Sequence, residues 1–303
     1  MEIKNTDKEF AIFPGIAPGS EGVDITYRSY EELTGDGFPK YLVDGVSNPV
    51  LVPYIAKEPN GKAVVVVPGG AFKRLVMNVE GEEVAEFFNS IGVSAFVLKT
   101  RLPYDGHKNA EDVILVDVQR AIRYVKYHAS EYGINPEQVG VAGFSAGATG
   151  TIKLSMMWDK KVYEPIDDID LVNAKPAFCL CGYPVVSAEV EREVFKIKYK
   201  KDMPEHWVKA LSDLDVVSRM PNDAPPMFIF DTDTDTTTPA ENSVLLFQAC
   251  RKAGVPVELH ILAEGGHGFG VGTHDKVAAA WTGLFKIWLE RRFLSQSEKT
   301  PSS

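Results

Sequence analysis

VGVAGFSAGATG, residues 139–150, sets one serine, Ser145, between Gly143 and Gly147 where two differently patterned runs meet. Residues 139–144 are apolar and strand-like, and residues 146–157 are small and then apolar at helical spacing. The pattern predicts a strand, a tight turn and a helix. A serine hydroxyl is a poor nucleophile until a base takes its proton, and it must also project clear of the backbone. Side chains beside it would collide in so sharp a turn unless they were small, and Gly143, Ala146 and Gly147 meet that demand. A Gly-x-Ser-x-Gly spacing between strand and helix presents a nucleophile in this way. The helix N-terminus directs backbone N–H groups and partial positive charge at the same point.

Working outward, strand-like and helix-like runs alternate. Strands are predicted at 24–31, 48–57, 63–68, 93–100, 139–144, 177–184, 227–232 and 257–262, and helices at 80–90, 111–132, 146–157, 240–253 and 275–293. In the second helix Val113, Val116, Ala121, Ile122 and Val125 keep helical spacing, and Gly133 stands where a stop belongs. Alternation of this kind predicts an α/β fold: an eight-stranded, mostly parallel sheet with helices on both faces, formed by residues 1–303 as one domain. The later strands are continuously apolar, as expected of strands covered on both sides. The charged segment 187–220 breaks the alternation. It reads either as a lid inserted at the C-terminal end of the sheet or as an ordinary crossover helix with a long loop.

A nucleophilic serine needs an oxyanion hole, a base and an acid. The N–H of Ala146 is one expected donor, and a small-residue loop after an earlier strand should supply the others. VVVVPGGAF, 64–72, offers Gly69, Gly70 and Ala71 in that position, where the alternative is a plain glycine turn. For the base, His267 lies in EGGHGFG, 264–270, a glycine-rich loop after the last strand, with His274 as the fallback. His128 in a helix and His260 in a strand read as structural, and His107, after another strand end, reads as a solvated loop residue before a pocket-lining one. The acid should follow the strand before the histidine loop. MFIFDTDTDTTTPAENS, 227–243, offers Asp231, Asp233 and Asp235 there, and counting does not choose among them.

The 303 residues are 45% hydrophobic and 24% charged with a net charge of −10, the composition of a soluble globular protein. So acidic a surface repels phosphate backbones and anionic lipid, which argues against nucleic-acid and membrane partners. No apolar run reaches membrane-spanning length. MEIKNTDKEFAIF at the N-terminus lacks the apolar core of a signal peptide, so a cytoplasmic location is expected. Cys179 and Cys181 read as small hydrophobes in a buried strand rather than metal ligands, and with Cys250 the odd count argues against a disulfide framework.

PGGAF, EGEEVAEFFNSIGVSAFVLKTRLP, DVQRAIRYVKYHASEYGINPEQVGVAGFSAGA and PAENSVLLFQACRKAGVPVELHILAEGGHGFGVG together cover most of 63–272. They resemble alpha/beta-hydrolase fold carboxylesterases of the acetyl-esterase and acetylxylan/feruloyl-esterase-like group. The match is weak over the first sixty residues and over 187–220. Such relatives carry the acid four residues before a proline, which points to Asp235 before Pro239. The resemblance implies Ser145, Asp235 and His267 as a catalytic triad, and Gly70, Ala71 and Ala146 as the oxyanion hole, with no metal and no cofactor. The usual His-Gly-Gly-Gly oxyanion motif has Pro68 at its first position here and Ala71 at its last. The implied substrates are short acyl esters, acetyl or hydroxycinnamoyl groups on small molecules or plant-wall carbohydrate. Two other readings stand beside it: a serine peptidase on the same fold, and a non-catalytic binding protein. Oligomeric state is not legible in the sequence.

Overall fold

The computed structural model describes residues 9–33 and 37–297. Among them two sheets form. Across its width the larger runs β1 (Phe10–Ala11), β4 (Val50–Tyr54), β7 (Ser94–Lys99), β5 (Ala63–Val67), β8 (Val139–Phe144), β9 (Cys179–Gly182), β10 (Met227–Thr232) and β11 (Val257–Leu262). The first two pairings are antiparallel and the rest parallel. The smaller sheet is antiparallel, with β3 (Pro39–Asp44) between β2 (Arg28–Leu33) and β6 (Leu75–Val76).

β5 shows why the central strands lie where they do. Its AVVVV is buried at every position. Val64 and Val66 face one apolar layer with α1 (Glu83–Ser90) and α8 (Ala280–Ser297). Ala63, Val65 and Val67 face the other layer with α2 (Val113–Tyr127), α3 (Ala146–Met157) and α7 (Glu241–Ala253). Alternate side chains point to opposite faces, so a strand covered on both sides must be apolar throughout. β-branched valine also suits the pleated backbone.

The larger sheet has eight strands, as the alternation predicts, but its membership differs. The run predicted at 24–31 becomes β2, shifted to 28–33, and belongs to the smaller sheet. Its RSYEEL is mostly exposed and carries too much charge to lie between two helical layers. The two-residue β1 takes the edge place instead. Segment 187–220 folds as three short helices, α4 (Ala188–Ile197), α5 (Glu205–Leu211) and α6 (Val216–Arg219). Phe195, Met203, Trp207, Leu211 and Val216 of this segment are buried in the core. All three cysteines are buried and free. Among the described residues no helix is long and apolar enough to cross a membrane.

Strand order reverses at β5, whose neighbours are β7 and β8. In open parallel sheets the loops leaving the strands on either side of such a reversal open a crevice at the C-terminal edge. Val67 ends β5 opposite Gly143 in β8, so the loop after β5 begins beside the turn that carries Ser145. Thr232 ends β10 opposite Leu262 in β11, so the loops holding Asp235 and His267 also leave the sheet side by side.

Candidate active site

Ser145 has φ 50° and ψ −124°, a strained backbone for a residue with a side chain. Its own N–H donates to Gly182 O at 3.0 Å, and its carbonyl accepts from Ala148 N–H at 3.0 Å. A Cβ placed on Gly143 would lie 2.3 Å from Thr151 Oγ1 and 2.7 Å from Ala148 Cα; one on Gly147 would lie 2.1 Å from Val67 O. The glycines are therefore required by the close approach of strand, turn and helix, as the sequence reading expects.

The turn aims Ser145 Oγ at His267 Nε2, 2.9 Å away. His267 Nδ1 meets Asp235 Oδ2 at 2.6 Å. Asp235 Oδ1 accepts the N–H groups of Thr237 at 2.7 Å and Thr238 at 2.9 Å, which fixes the carboxylate in its loop. Thr238 Oγ1 donates to Asp235 Oδ2 at 3.1 Å and stands 3.0 Å from His267 Nδ1. Partial burial of the imidazole opposes its protonation. The hydrogen bond and charge of Asp235 outweigh that, and Glu80 and Asp231 add to them, so the His267 pKa is raised above its ordinary 6.5.

Of the other aspartates, Asp233 is exposed, and Asp231 is buried with Oδ2 accepting from Ser243 Oγ at 2.6 Å. Burial raises the Asp231 pKa to about 7 even though the Ser243 bond opposes the shift. The structure thus brings Ser145, His267 and Asp235 together and sets the neighbouring acids apart. His274 stacks on Phe38 with ring centroids 3.8 Å apart. His128 pairs with Glu131 and His260 with Glu258. His107 departs from the expected solvated loop: it is 4% exposed, its Nδ1 lies 3.1 Å from Ser20 Oγ, and burial depresses its pKa to about 4.

The loop after β5 turns through three consecutive positive φ angles, 139° at Gly70 and 60° at both Ala71 and Phe72. Among the described residues no hydrogen bond takes up the N–H of Gly70, Ala71 or Ala146. The Gly69 N–H, in contrast, is held by Glu80 Oε2 at 2.7 Å. Among the described residues these three backbone donors are thus left uncommitted, two in the loop after β5 and one at the first residue of α3.

Sequence reasoning did not single out Thr238, Glu80 or Tyr183. Thr238 was hidden in a threonine-rich run. Glu80 in the segment Asn78–Glu82 and Tyr183 just past β9 meet each other and Gly69 only in the folded chain. His267 opens onto a cleft of about 460 Å³ lined also by Phe38, Tyr41, Asn78, Phe269 and Thr273. Segment 187–220 touches the loops after β5 and β10. Trp207 packs edge-on against Phe72 at 5.0 Å, and Lys198 Nζ donates to Thr236 O at 3.0 Å in the Asp235 loop. Among the described residues no three of His, Cys, Asp and Glu are grouped as metal ligands.

Residues 112–271 match the family model described as alpha/beta hydrolase fold, and residues 50–164 match the model BD-FAE. An acetylxylan esterase of Xylanibacter ruminicola is 29% identical over 236 residues, 75% of this chain and 46% of that protein. Endo-1,4-beta-xylanase B of Butyrivibrio fibrisolvens is 26% identical over 220 residues, 73% of this chain and 34% of that protein. The chain thus spans less than half the length of either curated relative. The crystal structure of an acetyl ester-xyloside bifunctional hydrolase from Caldicellulosiruptor lactoaceticus is 29% identical, covering 94% of this chain and 96% of that one with a TM-score of 0.71. The fold, the strand–turn–helix around Ser145 and a family match over more than half of the 303 residues agree: the chain belongs to the alpha/beta hydrolase fold family.

Proposed function

We propose that the protein is a serine carboxylesterase. The carrying observation is the chain of contacts from Ser145 Oγ through His267 to Asp235, 2.9 and 2.6 Å, with the N–H groups of Gly70, Ala71 and Ala146 uncommitted among the described residues. Ser145 Oγ attacks the ester carbonyl carbon while His267 Nε2 takes its proton. The Asp235 carboxylate holds Nδ1–H and stabilises the imidazolium. Gly70, Ala71 and Ala146 N–H groups bind the oxyanion, the C–O bond to the alcohol breaks, and His267 returns the proton to that alcohol. Water then attacks the acyl-serine by the same route in reverse and releases the acid.

For the substrate we propose short acyl esters, acetyl foremost, on carbohydrate. The acetylxylan esterase and the acetyl ester-xyloside hydrolase among the relatives support this reading. Segment 187–220 acts as a lid that bounds the acyl side: it is anchored both to Phe72 beyond the oxyanion loop and to Thr236 in the acid loop. The test is turnover of p-nitrophenyl esters of increasing chain length, with acetylated and feruloylated sugars alongside. Acetyl and butyryl esters should exceed octanoyl. A maximum at long chains would reject the short-acyl assignment, and amide turnover without ester turnover would reject the esterase itself.

A further inference from the structure

Glu80 lies in the turn before α1, is 2% exposed, and takes no part in the chain of contacts above. Its Oε2 accepts the Gly69 N–H at 2.7 Å and its Oε1 accepts the Tyr183 hydroxyl at 2.9 Å. Tyr183 is fully buried just past β9, with φ 35°. Its hydroxyl in turn accepts the Gly270 N–H at 3.0 Å, and the Gly270 carbonyl accepts from Trp281 Nε1 at 3.0 Å. One carboxylate therefore joins the loop of the oxyanion donors to the loop of His267.

The position is also close to the reacting atoms. A Cβ placed on Gly69 would lie 2.8 Å from both Glu80 Oε2 and Ser145 Cβ, and one on Gly268 would lie 3.9 Å from Glu80 Oε1. The Tyr183 ring packs edge-on to the His267 ring with centroids 5.0 Å apart. Two donors approach the two oxygens from opposite loops, so an acceptor is needed at both ends. A carboxylate provides that, whereas a carboxamide presents N–H to one of the two. Burying a carboxylate is costly, so its retention here calls for a role.

We propose that Glu80 is a positioning residue for hydrolysis: it holds the oxyanion loop and the His267 loop in register and sets a second negative charge facing the imidazolium. The inference rests on the Ser145–His267–Asp235 reading. The ionisable groups facing His267 and its loop are Asp235 from the loop after β10, Asp231 at the end of β10, Glu80 from the turn before α1, Tyr183 after β9, Glu191 from α4 and the cation of Lys40 in β3, whose Nζ would lie 3.4 Å from a Cβ on Gly268. Tyr183 stays a neutral donor, because burial and then the Glu80 charge push its pKa well above the ordinary value. No atom is exchanged at Glu80; the proton moves only between Ser145, His267 and the leaving alcohol.

The test pairs an NMR titration of the His267 imidazole with pH profiles of p-nitrophenyl acetate hydrolysis. Glu80→Gln should lower the imidazole pKa by about one unit and kcat by roughly tenfold or more, with KM within about threefold. Tyr183→Phe keeps the charge and cuts the link, so kcat should fall while the pKa stays within about 0.3 unit. An unchanged pKa and kcat in Glu80→Gln would overturn the proposal, as would an equal pKa drop in Tyr183→Phe. Should Glu80→Gln fail to fold, Glu80→Asp decides: a wild-type pKa with reduced kcat supports the proposal, and full kcat or a fallen pKa overturns it. Ser145→Ala, assayed in parallel, separates the two claims. Turnover that survives it removes the triad reading, and the NMR shift still reports on Glu80.

Discussion

Asp235 and His267 meet at 2.6 Å across 32 residues of chain because β10 and β11 end in register and release their loops together. An aspartate two residues earlier in the same loop, Asp233, is exposed and uses its N–H to bond Leu262 O at 2.8 Å. Asp235→Asn should leave the fold intact and lower kcat steeply, by about 10⁴ if the imidazole adopts the wrong tautomer as in serine proteases. Asp233→Asn should keep activity within roughly tenfold, since neither the ring nor its tautomer depends on it. Steady-state kinetics of the two purified variants check the assignment, and a reversed order would remove it.

The pH profile follows from the sign of one shift. His267 must be neutral to take the Ser145 proton, so kcat/KM rises with pH as the ring deprotonates. Its pKa is raised from 6.5, because the Asp235 bond and charge, with Glu80 and Asp231, outweigh partial burial. The half-maximal point of the acidic limb should therefore lie above 6.5. A limb centred well below that value, or a flat profile from about pH 5 to 9, would contradict the role given to the ring.

Stability should respond to a different acid. Burial of Glu191 raises its pKa to about 7 from an ordinary 4.5, and the Asn242 hydrogen bond opposes that shift. Among the described residues its Oε2 has no hydrogen-bond partner. A carboxyl whose pKa is raised on folding favours the fold fully below the unfolded value, and that contribution is lost as pH climbs through the folded one. Glu191→Gln removes the loss, which amounts to about 3 kcal/mol at most. Between pH 5 and pH 8 the melting temperature of the wild type should fall by several degrees more than that of the variant. Equal slopes would show that Glu191 does not titrate in this range.

Gly143 offers a steric test of the turn. Its added Cβ would meet Thr151 Oγ1, Ala148 Cα and Gly147 O at 2.3, 2.7 and 2.7 Å, and two of these atoms are backbone. Gly143→Ala should cost about 1–3 kcal/mol of stability or more. It should also lower kcat by on the order of a hundredfold through displacement of Ser145. Thermal melts and acetyl-ester kinetics on the same preparation read both effects, and wild-type values in both would mean that the turn tolerates a methyl group.

The parts legible in the sequence were those written in local pattern. The all-apolar β5 and β8, the small residues around Ser145 and the glycines around His267 each announce their own backbone, so the central sheet and the positions of Ser145 and His267 followed directly. Asp235 needed a family resemblance, because three aspartates at spacing two share one loop and only the finished turn shows which carboxylate Thr237 and Thr238 hold. The smaller sheet was legible only in β2, expected as a strand at 24–31, and the place of that strand in a separate sheet was not. β6 is two residues long and half of β2 is charged, so neither carries a hydrophobic period. Glu80 looked like one acid in a charged helix start; its burial is imposed by Gly69 and Tyr183, which arrive from distant strands.

The central claim is that Ser145 is the nucleophile, and the most direct measurement is peptide-mapped mass spectrometry after treatment with a fluorophosphonate. The expected result is a single phosphonyl adduct on the peptide containing Ser145, complete loss of ester turnover in step with labelling, and no adduct on Ser145→Ala. An adduct on another residue, or an unlabelled protein that still hydrolyses esters, would contradict the account.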